Sequence, residues 1–209
     1  MKRADIGVCG VILAGGRGSR MHYRQKALMA AGDKTIIEWI IETARVQTDR
    51  LLINVNRDFE LYEPYELPLI KDLVSTDSGP LAGIHAAMRW CRENEPACTH
   101  VACFPGDVPW FDGDLVERLA TVMLRDNARI GWLQTREQWQ PLFSVWEAGL
   151  VECLAEALEM ELYSPLQFIR SQPNTLLTLA TPALGHYLNI NTDEDLVIAN
   201  EIARGRFER

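Results

Sequence analysis

Apolar positions along the chain alternate between short β-rich runs and longer amphipathic segments. A run such as residues 8–13, which is apolar at nearly every position, is typical of a central strand that helices cover on both faces. This pattern predicts strands at residues 7–15, 50–56, 67–74, 100–107, 129–135, 141–146 and 175–180.

The amphipathic segments between these runs predict helices. The first is signalled by a capping box, in which Thr35 is followed three residues later by Glu38, with apolar residues at helical spacing behind it. Further helices are predicted at residues 79–94, 112–127, 149–160, 164–172 and 191–204. Strands that alternate with helices indicate the α/β class, here a three-layer αβα, Rossmann-like fold with a mostly parallel sheet. Because no repeat or linker interrupts the pattern, we expect a single domain over residues 1–209.

The composition narrows the function classes. With 209 residues, 47% of them hydrophobic, the chain is long enough to bury a sizeable core. Its formal net charge of −8 argues against nucleic acid and against an anionic membrane as partners, because binding to either depends on accumulated lysine and arginine. No apolar run reaches the ~18–20 residues that a membrane span needs, and the apolar N-terminal run is interpreted as a strand rather than a signal peptide. We therefore expect a cytoplasmic protein.

Residues 11–26, "VILAGGRGSRMHYRQK", cannot serve packing alone, because glycines and basic side chains follow the apolar run. Glycines let backbone N–H groups approach a phosphate, and the positive charge of Arg17, Arg20, Arg24 and Lys26 would neutralise it. The segment does not fit G-x-x-x-x-G-K-[ST], since no glycine precedes Lys26, and it does not fit G-x-G-x-x-G, since Met21 takes the third position. A surface loop with solvated arginines remains the alternative.

Six stretches in order carry a more specific resemblance. They are "LAGGRGSRM" with a lysine five residues later, "NVNR", "KDLVSTDSGPLAG", "PGDVPWF", "QPLFSVW" and "LNINTDEDL". Over nearly the whole chain they resemble the MobA-type molybdenum cofactor guanylyltransferases, which are nucleotidyltransferases with a glycosyltransferase-A-like fold. The resemblance implies transfer of GMP from GTP to Mo-molybdopterin with release of pyrophosphate. It also implies Mg²⁺ as the cofactor and molybdoenzyme maturation proteins as further partners.

The resemblance also implies site residues. The residues that it places around guanine, ribose and the rest of the nucleotide are Leu13, Ala14, Gly15, Gly16, Asn54 and Asp72. A turn into a helix, with N–H groups free to meet an anion or a base, is implied for Gly79, Pro80, Leu81 and Gly83. Arg20 and Lys26 would hold the triphosphate, and Asp107 would coordinate Mg²⁺, which prefers one or two carboxylates together with substrate oxygens. Asn189 and Asn191 fall on the acceptor side.

Several of these residues have simpler uses. Asp107 could cap a turn between two prolines, and Asn189 and Asn191 could cap the last helix. The stretch 140–142 could contribute to a pterin site or simply form a core strand, and Trp110 and Trp139 could stack on a pterin or be buried in the core.

The chain also departs from the family pattern. The family usually has glycines after the Met and an Asp before the Lys, where this chain has "HYRQ", and P-C-D-T-P where this chain has "PGDVP". Three rivals therefore stay open: a molybdopterin cytidylyltransferase, a sugar-phosphate nucleotidyltransferase, and a non-catalytic nucleotide-binding protein. The cytidylyltransferases tend to carry L-A-A-G in place of "LAGG", and Gly15 leaves room for a larger purine.

Overall fold

The structure is a computed structural model that describes residues 6–15, 25–73, 79–136, 138–180 and 182–207, with side chains up to residue 205. Its strands are β1 (Gly7–Leu13), β2 (Ala30–Ala31), β3 (Lys34–Thr35), β4 (Arg50–Asn54), β5 (Leu69–Ile70), β6 (Cys98–Pro105), β7 (Ile130–Thr135), β8 (Gln138–Glu147) and β9 (Asn174–Leu179). Its helices are α1 (Ile36–Arg45), α2 (Gly79–Asn94), α3 (Leu115–Asp126), α4 (Val151–Glu159), α5 (Pro165–Ser171) and α6 (Asp193–Phe207).

The main sheet of the described residues has the strand order β5-β4-β1-β6-β8-β7-β9. Neighbouring strands are parallel except around β8, which runs antiparallel to both β6 and β7. The short connection from β7 to β8 forces this direction, because parallel neighbours need a long crossover. The predicted α/β fold with a mostly parallel sheet is confirmed.

Two apolar layers cover the sheet, one on each face. Ile12 packs into the layer that contains α1, α3 and α6, whereas its neighbour Val11 packs into the layer that contains α2, α4 and α5. Both side chains are fully buried, as the apolar run predicted for a central strand. None of the described helices is both long and apolar enough to cross a bilayer.

One predicted strand needs correction, and one hairpin was missed. Of the strand predicted at residues 67–74, the structure describes residues 67–73 and has only the two-residue edge strand β5; Pro68 has no N–H to donate and contributes only its carbonyl oxygen, which accepts from Ile53 N. The chain then leaves the sheet, which lets Asp72 turn back toward β4. The short hairpin of β2 and β3 was not predicted; Gly32 allows its turn with a positive φ of 78°.

The capping box predicted for α1 is confirmed. The Thr35 hydroxyl accepts a hydrogen bond from Glu38 N, and the Glu38 carboxylate accepts one from Thr35 N at 2.6 Å. The backbone N–H of Thr35 is the main reason that the pKa of Glu38 lies below its ordinary value. The charged form of Glu38 is therefore the one that the folded chain favours.

We expect Thr35→Ala to lower the free energy of unfolding by about 1 kcal/mol, the usual value of an N-cap hydroxyl. Because the pKa of Glu38 is depressed on folding, its share of the stability is present at neutral pH and is lost as the pH falls through the folded-state pKa. Urea unfolding at pH 7 and pH 3.5 measures both effects. Thr121→Ala is the matched control, since Thr121 lies inside α3 and bonds only to the carbonyl of Glu117; an equal loss there would contradict the capping role.

Candidate active site

The carboxyl ends of three parallel strands meet at one edge of the sheet. Past the end of β1, Ala14 N donates to Asn54 O on one side at 2.9 Å, and Gly106 N donates to Leu13 O on the other at 3.1 Å. Gly106 has to be a glycine here, because a Cβ would lie 2.7 Å from Leu13 O. Open α/β sheets bind ligands at this edge.

Asp72 organises the polar side chains at the β4 end of this edge. Its two carboxylate oxygens accept hydrogen bonds from Asn54 Nδ2 and Asn56 Nδ2, both at 2.8 Å, and its own N–H donates to Asn56 Oδ1 at 3.0 Å. Because a carboxylate only accepts, it fixes which end of the Asn54 amide faces it. The other end, Oδ1, is turned toward Gly15 and Gly83.

The absence of a Cβ at Gly15 and Gly83 makes room for the Asn54 amide itself. A Cβ on Gly83 would lie 2.4 Å from Asn54 Oδ1, and one on Gly15 would lie 3.3 Å from the same atom. Gly83 belongs to the second turn of α2, which begins at Gly79 with a φ of 65°. Pro80 is exposed in the first turn, whereas the side chain of Leu81 is buried in the core.

A second polar group lies at the β6 end of the edge. Lys26 Nζ donates to Asn191 Oδ1 at 2.6 Å and lies 3.9 Å from Asp107 Oδ2. Ile190 N also donates to Asp107 O at 2.9 Å. Three segments that are far apart in sequence therefore meet here.

The environment of Asp107 is only partly open to water. Burial raises the pKa of Asp107 above its ordinary value, and the Lys26 ammonium opposes that shift. The two side chains are 29% and 19% exposed, so a ligand can still reach them. A charge in such a partly desolvated place acts more strongly on a bound ion than it would in bulk water.

The donor set around Asp107 suits a hard cation shared with a substrate. No group of three or more His, Cys, Asp or Glu residues is arranged to hold a metal ion within the described parts of the chain. A single carboxylate is what Mg²⁺ uses when substrate phosphates supply further ligands. Asp107 fits that role.

The alternative use of Asn191 as a helix cap can now be judged. Thr192 caps α6, since its hydroxyl accepts from Asp195 N at 3.1 Å, and Asp195 Oδ2 accepts in return from Thr192 N and Asn191 N. The side-chain amide of Asn191 is thus left for Lys26. Asn189 is exposed beside this group, and Arg20 and Gly16 lie outside the described residues.

Two sets of hydrogen bonds that hold the site residues in place were not predicted from the sequence. Gln25, next to Lys26, donates to Asp58 Oδ2 at 2.7 Å and accepts from the Tyr62 hydroxyl at 3.4 Å. An aspartate at position 25, as the family usually has, could not donate and would face the like charge of Asp58. The glutamine at position 25 was therefore a usable sequence signal. The sequence could not show, however, that Gln25 bonds to Asp58 and Tyr62.

The other missed support lies under the segment that carries Asn191. His186 Nδ1 lies 2.7 Å from Asp112 Oδ1, and the second oxygen of Asp112 pairs with Arg118. Tyr187 N donates to Trp110 O at 2.8 Å. No local sequence signal connects positions this far apart. Of the two tryptophans considered for stacking, Trp110 is buried and Trp139 is exposed.

Comparison with known proteins identifies the family. A family model described as a MobA-like NTP transferase domain matches residues 10–174. The chain is 32% identical to the molybdenum cofactor guanylyltransferase of Sinorhizobium fredii (strain NBRC 101917 / NGR234), with 96% of this chain and 94% of the relative covered. It is 30% identical to the protein of the same name from Rhodopseudomonas palustris (strain HaA2), with 92% and 91% covered.

The fold is also found among solved structures. Molybdopterin-guanine dinucleotide biosynthesis protein A from Archaeoglobus fulgidus superimposes with a TM-score of 0.74 at 22% identity, covering 94% of this chain and 99% of that chain. The resemblance of the six sequence stretches is therefore confirmed over nearly the full length. This chain belongs to the MobA-like NTP transferase family, in the group of the molybdenum cofactor guanylyltransferases.

Proposed function

We propose that this chain transfers GMP from GTP to Mo-molybdopterin, forming the guanine dinucleotide cofactor and pyrophosphate. One observation carries the proposal: Lys26 and Asp107 lie on the same sheet edge as Asn54, whose amide is held by Asp72. The names of relatives that match over nearly their whole length support the choice of substrates. Reaction in the cytoplasm and delivery of the product to molybdoenzyme maturation proteins belong to the same proposal.

The carboxyl end of β4 would receive the nucleoside. Gly15 and Gly83 let the Asn54 amide pack closely against the backbone, and Asn54 Oδ1, a hydrogen-bond acceptor, is turned toward both glycines. Asp72 holds the Asn54 amide in this orientation. A nucleoside N–H or O–H group could then donate a hydrogen bond to Asn54 Oδ1.

Lys26 suits the triphosphate. Its ammonium has three N–H donors, of which Asn191 accepts one, so that two remain for phosphate oxygens. In the transfer, an oxygen of the acceptor's terminal phosphate forms a bond to the α-phosphorus, and the bond from the α-phosphorus to the bridging oxygen breaks. Pyrophosphate leaves with that electron pair, so no protein nucleophile is needed. The protein positions two polyanions and neutralises the charge that develops on the leaving group.

Asp107 would hold Mg²⁺, for the reasons of donor chemistry given above. The ion, when bound, supplies further neutralisation of the triphosphate and the leaving pyrophosphate.

Pyrophosphate release from purified protein, with Mg²⁺ and Mo-molybdopterin, tests the proposal when GTP and CTP are supplied in parallel reactions. Release with GTP and not with CTP is expected. Release with CTP instead would assign the chain to cytidylyl transfer. Nucleotide binding without release from either would contradict the proposed reaction.

Lys26→Ala should weaken GTP binding about 10- to 150-fold, since a hydrogen bond to a charged group is worth about 1.5–3 kcal/mol. Guanosine, which has no phosphate, should bind as before. Isothermal titration with both ligands measures the difference. Lys34→Ala, which removes a half-buried lysine paired with Glu42, is the control; equal losses for GTP and guanosine in the Lys26 variant would rule out a phosphate contact.

Asp107→Asn should reduce Mg²⁺-dependent turnover by at least about a hundredfold, a loss typical of removing a charge-stabilising group from a transition state. The fold should be unchanged, because the amide is isosteric and Ile190 bonds to the Asp107 backbone. Pyrophosphate release against Mg²⁺ concentration is the measurement. Asp114→Asn, at an exposed aspartate before α3, should leave turnover unchanged. Wild-type turnover in the Asp107 variant would show that Asp107 does not hold the metal ion.

Gly83→Ala should raise the KM for GTP about 10- to 100-fold, because the new methyl group displaces the Asn54 amide and misplaced contacts are costly in a preorganised site. Alanine is otherwise the better helix former by about 1 kcal/mol, so propensity alone would favour the variant. Steady-state kinetics and thermal unfolding separate these effects. Gly113→Ala meets nothing within 4 Å and is the control; an unchanged KM in the Gly83 variant would show that Asn54 does not contact the nucleotide.

A further inference from the structure

Trp139 is an exposed tryptophan near the edge of the sheet that carries the candidate active site, and it is not part of the buried core. Trp139 is 51% exposed, whereas Trp110, Trp132 and Trp146 are each at most 5% exposed. A half-exposed indole leaves a large apolar surface in contact with water, and exposed apolar surface often marks a binding site.

The strand pairing places Trp139 on the same side of the sheet edge as Asp107 and beyond it. Because β8 is antiparallel to β6 and Ser144 pairs with Cys103, lower numbers in β8 lie toward the carboxyl end of β6, where Asp107 follows. Along this edge the order is Asn54 at the end of β4, Leu13 at the end of β1, Asp107 after β6, and then Trp139 in β8. The end of β4, where the nucleoside is proposed to bind, and Trp139 are therefore on opposite sides of Asp107, with adjacent strands about 4.8 Å apart.

A bulge turns Trp139 to a particular face of the sheet. Pairing between β7 and β8 jumps from Trp132–Ser144 to Leu133–Gln140, which leaves residues 141–143 without partners in β7. Because side chains alternate between the two faces of a strand, an odd number of extra residues moves each later side chain of that strand to the other face of the sheet. Trp139 consequently packs against Trp132, on the face of the sheet that α2 also covers.

Two contacts hold the Trp139 ring. The guanidinium carbon of Arg170, in α5, lies 4.5 Å from the ring centroid, and the Trp132 ring meets it edge-on at 6.4 Å and 74°. Trp132 is itself fixed by a hydrogen bond from Nε1 to Asn174 Oδ1 at 3.1 Å. The ring is thus held in place before any ligand arrives, which lowers the entropy that binding costs.

We propose that Trp139, supported by Arg170, is the stacking site for the pterin ring of the acceptor. This inference rests on the proposed function, which supplies a planar heteroaromatic acceptor carrying a phosphate. The acceptor has to approach Asp107 from the side that the nucleotide does not occupy, and Trp139 presents an exposed aromatic ring on that side. The exposed Arg170 adds positive charge for an anionic acceptor, in a protein whose formal net charge is −8.

Trp139→Ala should raise the KM for Mo-molybdopterin about 5- to 100-fold, the range expected when one stacked ring is removed. The KM for GTP should stay the same, and Trp139→Phe, which keeps an aromatic face, should retain most of the affinity. Leu124→Ala is the control, because Leu124 is 64% exposed near Ile6, at the opposite edge of the sheet. Thermal unfolding of each variant reports any loss of fold.

Equilibrium dialysis of Mo-molybdopterin without GTP separates this inference from the proposed function. If the wild type binds and turns over Mo-molybdopterin and Trp139→Ala does both equally well, the stacking site is wrong and the function stands. If the wild type binds the acceptor without releasing pyrophosphate, and Trp139→Ala loses the binding, the proposed reaction fails and the stacking site is supported. If the wild type does not bind the acceptor at all, both are overturned.

Discussion

Backbone hydrogen bonds past the ends of the parallel strands hold the site together. Ala14 bonds to Asn54, Gly106 bonds to Leu13, and Ile190 bonds to Asp107, so that four separate segments are joined along one edge. Backbone bonds of this kind leave the side chains free for ligands, and they require glycine where the chains come closest. Every polar group of the proposed site is attached to one of these segments or hydrogen-bonded to one.

The charges of the site follow from this arrangement. The chain as a whole is acidic, yet Lys26 is brought into a partly buried position where Asn191 orients it and Asp107 lies within 4 Å. A few well-placed cations are enough for a small polyanionic substrate, whereas a nucleic acid would need many. Burial raises the pKa of Asp107, and the Lys26 charge 3.9 Å away opposes that rise.

The sequence predicted those parts of the molecule that depend on local signals. Helix α2 has the predicted bounds because a Gly-Pro start and a polar end are written into the chain, and Thr35 with Glu38 gives the start of α1. Features that depend on distant partners were not predictable: the bulge in β8, the pairing of His186 with Asp112, and the hydrogen bond from Lys26 to Asn191. The resemblance gave the residue names of the site, and only the three-dimensional arrangement could show that Asn191 and Asp107 share Lys26.

The central claim is that the nucleotide occupies the β4 side of the edge and that transfer takes place above β6. A crystal structure of the protein with Mg²⁺ and a non-hydrolysable GTP analogue tests it most directly. We predict the nucleoside at the carboxyl end of β4, beside Gly15, with the triphosphate in contact with Lys26 and directed toward Asp107. A base bound over Trp139, or a triphosphate distant from Lys26, would contradict it.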